Sequence, residues 1–322
     1  MKIQKRGGEM RTPKVVEFEL TTACNYSCIH CYCNAGKTSK NELSTEEVKK
    51  VIKDLYESGV EIIDLVGGEP LIRTDIFEII SFAKSIGAKL MINTNASLAS
   101  KDVVKKLKEI NDNLLVGVSL DGNKKEIHEL VRGAGTFEKT MRGLKNFLEF
   151  GFDVTILHVI NKHNYKYFEE MVLFAKELGV SLYVDRFVPV GRGELFKDML
   201  LPTKEMIKFV NGIIEKYKDQ VDFFVEENIY GDECTAGKEH ASILVDGTVV
   251  PCGHFRYDFK YYMGNVREKS FKEIWESFNP DILFNDCKEC ELFTKCKGGC
   301  RAFANQLGLS YDPIFCEASN NV

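Results

Sequence analysis

The chain contains 322 residues, of which 44% are hydrophobic and 28% are charged, and its net charge at pH 7 is −5. This composition is typical of a globular protein and excludes collagen, an extended coiled coil and wholesale disorder. The slight acidity leaves no basic footprint, so we expect no nucleic-acid partner. At roughly 100 to 200 residues per domain, the length favours two domains.

The N-terminal extension, residues 1–14, is basic, and only a six-residue apolar run, residues 15–20, follows it. That run is far too short for a signal-peptide core or a membrane span. The sequence therefore predicts a cytoplasmic protein with no membrane partner. Its eleven cysteines, in a long chain of this kind, favour metal ligands over disulfides.

Six short β-rich runs alternate with helical stretches over residues 15–190. A capping box at Ser44 and Glu47 begins one helix, and glycines stand where helices end. This alternation predicts a parallel sheet with right-handed crossovers, either an open doubly wound sheet or a barrel. In both, the chemistry lies at the carboxyl ends of the strands. The predicted strands are 15–20, 62–66, 89–94, 114–119, 152–159 and 181–188, and the glycines are Gly59, Gly87, Gly151 and Gly179.

The pattern changes after residue 190. A bridging region, 191–232, contains an amphipathic helix from Thr203 to Tyr217, and residues 233–322 are rich in cysteine and poor in long elements. We expect a small hairpin from Ser242 to Pro251 and a short helix from Lys269 to Phe278. A segment with so little core of its own is expected to be held together by metal.

Three cysteines follow the first strand directly. Cys24, Cys28 and Cys31 have the spacing C-x3-C-x2-C. Three thiolates on one loop hold three irons of a cubane and leave the fourth iron open to an outside ligand. A zinc site, which normally closes with a fourth side chain, is the alternative. Cys33 is a fourth thiol nearby, and we interpret it as a spare packed cysteine.

This cysteine motif, together with Gly67-Gly68-Glu69-Pro70 after the second strand, resembles the radical S-adenosylmethionine (SAM) superfamily. The resemblance implies that the open iron is chelated by the amino and carboxylate groups of SAM. Gly67 and Gly68 would receive the amino group, and the Glu69 carboxylate would accept a hydrogen bond from it. The other matching positions are His30 and Val188 beside adenine, Ser119 and Asp121 at the ribose or methionine portion, and Arg132 at the SAM carboxylate. Asn93 and Asn95, at the third strand end, are weaker candidates.

The C-terminal cysteines also have a recognisable spacing. Twelve residues, Gly247 and four more residues separate Cys234 from Cys252, and a C-x2-C-x5-C-x3-C-x15-C run follows. This array resembles the SPASM extension of one branch of radical SAM enzymes, and two structural zinc knuckles are the alternative. The resemblance implies one closed auxiliary cluster on Cys287, Cys290, Cys296 and Cys316, and another cluster on Cys234, Cys252 and Cys300.

The expected fold is therefore α/β, with a partial (β/α)6 TIM-like barrel over 15–190 followed by a small cysteine-rich SPASM iron-sulfur domain over 233–322. The resemblance implies SAM and three [4Fe–4S] clusters, one binding SAM and two auxiliary. It also implies a low-potential electron donor such as ferredoxin or flavodoxin.

The expected activity is reductive cleavage of SAM to a 5′-deoxyadenosyl radical, which abstracts hydrogen from a peptide or protein side chain. The alternative substrate is a small cofactor precursor of the tetrapyrrole or tungsto/molybdopterin kind, to which the segment 188–193 bears a weak resemblance. Sulfatase maturation is disfavoured, because Gly253 and then His254 stand where such enzymes carry an aspartate base. A non-catalytic iron–sulfur carrier or zinc-stapled module is the alternative from another class, and the SAM-site matches argue against it.

Overall fold

The structure, a computed structural model, describes residues 12–231, 233–284 and 290–316. A single sheet runs through these ranges, and ten strands contribute to it. The strands are β1 (Val15–Glu19), β2 (Ile62–Val66), β3 (Leu90–Thr94), β4 (Leu115–Ser119), β5 (Val154–Ile160), β6 (Ser181–Arg186), β7 (Phe223–Val225), β8 (His240–Ile243), β9 (Thr248–Val250) and β10 (Gly264–Asn265).

Strands β1 to β7 lie side by side in chain order, and each neighbouring pair is parallel. Six of these strands are the six that the sequence predicts, with ends that agree within two residues. The last predicted strand was too long, because β6 ends at Arg186 and Val188 lies in the loop beyond it. Parallel strands in this order, joined through helices, form the partial barrel that the sequence predicts.

Helices connect the strands and cover one face of the sheet. The predicted capping box of Ser44 and Glu47 begins α1, and Gly87 and Gly179 end two helices in the left-handed conformation. Within the described ranges, none of the helices has both the length and the apolarity to cross a membrane. The helices are α1 (Thr45–Glu57), α2 (Ile76–Ile86), α3 (Lys101–Ile110), α4 (Lys125–Arg132), α5 (Phe137–Glu149), α6 (Phe168–Leu178), α7 (Lys197–Leu200), α8 (Lys204–Tyr217), α9 (Glu227–Tyr230), α10 (Phe271–Ser277), α11 (Phe293–Cys296) and α12 (Arg301–Gln306).

The two faces of the sheet have different roles. On β1, Val16 and Phe18 are fully buried in the main hydrophobic core, which includes Ile52 and Leu55 of α1. The alternate residues, Val15 and Glu17, face a cavity on the other side. Because side chains on a strand alternate between faces, the helices pack on one face and the other is left for a site.

The C-terminal segment joins the same sheet. The predicted hairpin is present as β8 and β9, and β8 pairs in parallel with β1, while β7 of the bridging region pairs with β6. The sequence predicts a small domain after the barrel, but the sheet continues across the boundary between 190 and 233. Two buried ion pairs reinforce this junction, one between Arg256 and Glu19 and one between Arg186 and Asp312.

Candidate functional site

A cavity of about 570 Å³ lies inside the curve of the sheet. Its volume is within the range of small-molecule sites, roughly 300–1,000 Å³. The loop after β1 lines it at the carboxyl ends of the strands, where parallel α/β folds place their chemistry. Two of the three predicted sets of cluster ligands reach it. They are Cys24, Cys28 and Cys31 from the first loop and Cys234, Cys252 and Cys300 from the C-terminal segment.

The first cysteine loop is held by backbone hydrogen bonds. The amide of Cys24 donates to the carbonyl of Gly36 at 3.0 Å, and the amide of Ile29 donates to the carbonyl of Val131 at 2.9 Å. The loop is therefore tied at one end to itself and at the other to the end of α4. The three predicted ligands consequently face one cavity from one short, fixed segment.

The three thiols have different acidities. The pKa of Cys31 is lowered to about 5, mainly by a hydrogen bond from the Cys33 thiol. Burial acts in the opposite direction, and a hydrogen bond from the Ala35 amide lowers the pKa further. Burial raises the pKa of Cys28 to about 12 and also raises that of Cys24. Cys31 is thus ready to ligate as a thiolate, whereas Cys28 needs the positive charge of iron to lose its proton.

Cys33 is not a remote spare thiol. Its sulfur lies 3.6 Å from the Cys31 sulfur and 3.6 Å from the Gly67 carbonyl oxygen, and it lines the same cavity. The sequence predicts a packed cysteine here, and the side chain is indeed 8% exposed. Its contact with Cys31 follows from the turn of the loop, which the spacing alone does not reveal.

The paired glycines bring the second strand end against the first loop. A Cβ on Gly67 would lie 2.5 Å from the Thr21 carbonyl oxygen, and one on Gly68 would lie 2.1 Å from that of Ala23. Both positions therefore require glycine, because only glycine lets the two backbones approach so closely. The sequence predicts close approach to SAM at these residues, and both do line the cavity.

Glu69 is turned away from the cavity. Its carboxylate accepts hydrogen bonds from the Leu71 amide at 3.1 Å, the Thr94 hydroxyl at 2.7 Å and the Asn95 amide at 2.8 Å. The side chain is 1% exposed and joins the ends of β2 and β3. The sequence predicts that this carboxylate accepts from the SAM amino group, and that role stays a prediction. In the structure, Glu69 positions the glycine segment.

Asp121 also lies behind the cavity wall. Its Oδ2 accepts from Arg132 Nε at 2.6 Å and lies 3.1 Å from His30 Nε2, and its Oδ1 accepts from the Val159 amide at 3.0 Å. Burial alone would raise the pKa of Asp121, but the charge of Arg132 and the contact with His30 hold it well below its usual range. Asp121 is therefore the anion that orients Arg132 and His30, and its direct contact with SAM stays a prediction.

The remaining predicted SAM residues line the cavity itself. Arg132, His30, Ser119 and Val188 all border it. His30 Nδ1 is buried without a hydrogen-bond partner in the described part of the chain, which leaves one polar atom for a ligand. The weaker candidates Asn93 and Asn95 border the cavity as well, and Asn95 Nδ2 lies 4.0 Å from the Cys24 sulfur.

Arg192 fixes the cysteine loop, a role that the sequence does not reveal. Its guanidinium group donates to the carbonyl oxygen of Cys28 at 3.0 Å and to the carbonyl oxygen of Ala35. Its backbone amide donates to the carbonyl oxygen of Cys31 at 3.0 Å. Gly191 allows this contact, because its φ is +62° and a Cβ would lie 2.2 Å from the Tyr32 carbonyl oxygen. The turn after β6 that contains Gly191 and Arg192 thus holds the first cysteine loop in place, and we call these contacts the clamp.

The C-terminal cysteines divide into two groups. Cys234, Cys252 and Cys300 line the cavity, and the Cys252 sulfur lies 3.4 Å from His254 Nδ1. Cys290 is exposed, Cys296 and Cys316 are buried, and these three are not among the residues that line the cavity. The residues on each side of this division are those of the two predicted ligand sets, and the ligation itself stays a prediction. Cys287, a predicted member of the second set, lies outside the described residues.

Comparison with known proteins settles the family. Residues 18–175 match the radical SAM superfamily model, and residues 234–301 match the SPASM model, described as an iron-sulfur cluster-binding domain. The chain is 31% identical to mycofactocin maturase MftC of Mycolicibacterium smegmatis, over 93% of this chain and 81% of that protein. The chain belongs to the radical SAM superfamily. It is a SPASM-type enzyme, as the sequence predicts.

Two further similarities bear on substrate and fold. AdoMet-dependent heme synthase of Methanosarcina barkeri is 30% identical over 91% of this chain and 92% of its own length. The crystal structure of Streptococcus suis SuiB bound to SAM superposes with a TM-score of 0.78, at 20% identity, over 95% of this chain and 77% of that chain. SuiB is also known bound to precursor peptide SuiA, with a TM-score of 0.74 at 19% identity and coverage of 95% and 76%.

The residues of this radical SAM enzyme fit iron–sulfur clusters and SAM. Three thiols, each partly or fully desolvated, border a cavity that has the volume of a small-molecule site. The Arg132 guanidinium and the unpartnered His30 Nδ1 border it, as a zwitterionic ligand with a nucleoside requires. Cys24, Cys28 and Cys31 would hold the SAM-binding cluster. When bound, that cluster supplies the electron that cleaves SAM.

We expect Arg132→Ala to weaken SAM binding by roughly 1.5 to 3 kcal/mol, about ten- to a hundredfold in dissociation constant, because a charge-assisted hydrogen bond is lost. Equilibrium binding of SAM to the reconstituted enzyme measures the change. The single variant also leaves Asp121 as an unpaired buried charge, which destabilises the fold.

The double variant Arg132→Met with Asp121→Asn separates these effects. It removes both charges together, so the melting temperature should recover while SAM affinity stays low. If SAM affinity recovers together with the melting temperature, the pair is purely structural and Arg132 does not bind SAM.

We expect Arg192→Lys to lose its catalytic cluster faster than the parent enzyme, because lysine cannot hold two carbonyls with a planar fork. Iron retention and bleaching of the cluster absorbance in air provide the measurement. Arg142→Lys, at an exposed position on α5, is the matched control and should behave as the parent does. Equal bleaching rates in the two variants would contradict the clamp.

Proposed function

We propose that this enzyme modifies the side chain of a peptide or protein by hydrogen abstraction. The observation that carries the proposal is the shared cavity, because the catalytic cysteine loop and three auxiliary cysteines border the same space. A substrate group in that space meets both. When bound, the catalytic cluster and SAM together supply the 5′-deoxyadenosyl radical that takes the hydrogen atom.

The chain's own residues bind, orient and exclude water. Arg132, oriented by Asp121, binds the carboxylate of SAM, and the backbone at Gly67 and Gly68 supports its amino end. Val188 provides an apolar wall for the adenine, because it is 2% exposed and borders the cavity. These walls keep bulk water away from a reactive intermediate, which suppresses side reactions.

The size of the cavity favours a side chain as the substrate. The cavity of about 570 Å³ must also hold SAM, so the room that remains suits a side chain better than a macrocycle. Its lining includes the acids Asp64 and Glu226, but burial raises the pKa of each to about 8, so near pH 7 they do not repel an anionic substrate. Among the similar proteins, SuiB binds a precursor peptide.

A cofactor precursor is the second candidate. The similarity to AdoMet-dependent heme synthase favours it, since the identity of 30% is close to that with the mycofactocin maturase. The volume left beside SAM weighs against a tetrapyrrole macrocycle. The experiment below distinguishes the two classes directly.

The test is transfer of deuterium from substrate to 5′-deoxyadenosine. The anaerobically reconstituted enzyme is incubated with SAM, dithionite and a perdeuterated low-mass peptide fraction of the source cells, or with a perdeuterated tetrapyrrole extract. We expect deuterated 5′-deoxyadenosine in the peptide arm, and we expect protease pretreatment to remove it. Label that appears only with the tetrapyrroles, or that survives protease, contradicts a peptide substrate.

We also propose three [4Fe–4S] clusters, which corresponds to roughly twelve irons per chain. The SPASM match and the two groups of C-terminal cysteines support two auxiliary clusters. A low-potential ferredoxin or flavodoxin would supply the electron. Iron and sulfide analysis of the reconstituted enzyme tests the number, and about eight irons would indicate a single auxiliary cluster.

A further inference from the structure

Three polar side chains stand together among the apolar residues that line the inside of the barrel, where branched apolar residues are usual. Glu17 on β1 stands opposite Asp64 on β2 in the sheet register, and Asn93 follows on β3. All three border the cavity, and each lies one or two residues before the carboxyl end of its strand. The cysteine loop follows β1 at this same edge of the sheet. We call Glu17, Asp64 and Asn93 the acidic floor.

The carboxylates around this cavity differ in how far they are satisfied. Glu17 accepts a hydrogen bond from the Ser242 hydroxyl at 2.7 Å and lies 3.7 Å from His240 Nε2. Glu226 accepts from the Tyr183 hydroxyl at 2.5 Å. Asp64 accepts only from Asn93 Nδ2, at 2.7 Å through Oδ2, among the bonds seen in the described ranges. Asp64 is therefore the carboxylate with acceptor capacity left over.

Two buried oxygens of the acidic floor have no donor. Asp64 Oδ1 and Asn93 Oδ1 are both buried without a hydrogen-bond partner among the described residues, and Asp64 as a whole is 8% exposed. Unsatisfied buried acceptors are rare, because they lose the hydrogen bonds that water would make. Asn93 Oδ1 is an acceptor in every state and Asp64 Oδ1 is one when the carboxyl group is ionised, so a group that completes both atoms from the cavity carries N–H or O–H donors.

The fold makes room for this arrangement. A Cβ on Gly117 of β4 would lie 2.1 Å from Asn93 Oδ1, so the glycine provides the space in which the amide lies. Any larger residue at position 117 would displace Asn93 from Asp64. The unsatisfied pair is consequently built into three neighbouring strands and does not depend on a loop.

The charge state of Asp64 indicates which class of hydrogen-bond donor fits the acidic floor. Burial, together with the neighbouring Glu17, raises the pKa of Asp64 to about 8, so a second negative charge is costly here. A cation at the acidic floor would supply the missing donors and favour the ionised carboxylate. An alcohol would supply a donor but no compensating charge, and an anion would supply neither.

We propose that Asp64 and Asn93, beside Glu17, bind an ammonium or guanidinium group of the substrate. This assignment rests on the proposed function and adds a specificity to it. In this proposal, the modified peptide carries a basic side chain that reaches past SAM to the acidic floor. Binding at this depth would fix the register of the peptide relative to the reacting carbon. Asp64 is a specificity-determining residue in this proposal, since it has no part in SAM binding.

The test uses a small cation and needs no knowledge of the substrate. n-Butylamine, as the ammonium, and n-butanol, as its neutral analogue, are titrated calorimetrically into reconstituted enzyme saturated with SAM. We expect the amine to bind at least tenfold more tightly than the alcohol. Asp64→Asn should lower amine affinity at least tenfold, and Asp153→Asn, at an exposed acid on the cavity rim, should leave it unchanged.

A stability measurement keeps the result independent of folding. Asp64→Asn retains the shape and the bond from Asn93 and removes a buried ionisable group, so its melting temperature should equal or exceed that of the parent. Asn93→Ala, which leaves the Asp64 carboxyl group in place, is the second variant and should also weaken amine binding. Equal affinity for amine and alcohol, or equal losses in the Asp64 and Asp153 variants, would overturn the proposal. The calorimetric test measures binding and not turnover. A negative result in the deuterium-transfer experiment therefore does not change how the amine-binding result is interpreted.

Discussion

Replacement of Cys24, Cys28 and Cys31 together by alanine is expected to abolish 5′-deoxyadenosine formation and to leave about eight of roughly twelve irons in place. The reason lies in the geometry of the first loop. Its three thiols face one cavity, and the C-terminal cysteines lie on a separate segment. Chromatographic detection of 5′-deoxyadenosine, together with iron analysis, measures both parts.

The control for this variant is Cys33→Ala. The Cys33 sulfur is 3.6 Å from that of Cys31, so proximity alone makes it a rival ligand. If the C-x3-C-x2-C spacing defines the cluster, Cys33→Ala should keep its iron and still cleave SAM. SAM cleavage by the purified triple variant would disprove the assignment, and loss of cleavage in Cys33→Ala would add Cys33 to the catalytic loop.

Periodicity and spacing predict most of the barrel. The six strands follow from short β-rich runs, and the placement of Cys24, Cys28 and Cys31 on one loop after β1 follows from their short spacing, because both signals are local in the sequence. Ser44 and Glu47 form the predicted capping box, since that motif is set by four consecutive residues. Elements of this kind are determined by near neighbours, and the structure agrees with them.

Long-range pairing could not be predicted in the same way. Residue β-propensity does not specify that β8 pairs with β1, more than two hundred residues away in the chain, although that contact merges the C-terminal segment with the barrel. The buried ion pair between Arg186 and Asp312 could not be predicted from the sequence either. Each partner looks like an ordinary surface charge until the fold brings the two together.

Side-chain direction was the second limit. Glu69 and Asp121 were placed correctly at strand ends, but the sequence cannot tell whether a carboxylate at such a position faces the cavity or the interior. The donors decide this: Thr94 and the Asn95 amide hold Glu69, and Arg132 holds Asp121. Arg192 was missed because its partners are backbone carbonyls, which leave no trace in the sequence.

The other prediction with a large effect concerns the auxiliary cluster that borders the cavity. We expect the cluster on Cys234, Cys252 and Cys300 to have a fourth position not occupied by cysteine. The count of thiols motivates this, because eleven cysteines less three catalytic and four on the second set leave these three and Cys33. Cys33 is engaged with Cys31 and the Gly67 carbonyl.

Neighbouring acids are the competing fourth ligands. The Glu233 carboxylate forms an ion pair with Lys238, which occupies it, and Asp232 lies outside the described residues. The substrate is the other candidate, because the three thiols border the cavity in which it would bind. An open iron there could fix the substrate group and accept an electron from a product radical.

Electron paramagnetic resonance of the Cys24, Cys28, Cys31 triple-alanine variant isolates the auxiliary clusters. With the substrate identified by deuterium transfer, we expect its addition to change the spectrum of one auxiliary cluster and not the other. Cys300→Ala should remove the substrate-dependent change, whereas Cys290→Ala, in the set away from the cavity, should not. A spectrum indifferent to substrate would indicate a protein ligand at the fourth iron, because a cluster closed by the chain has no position to offer.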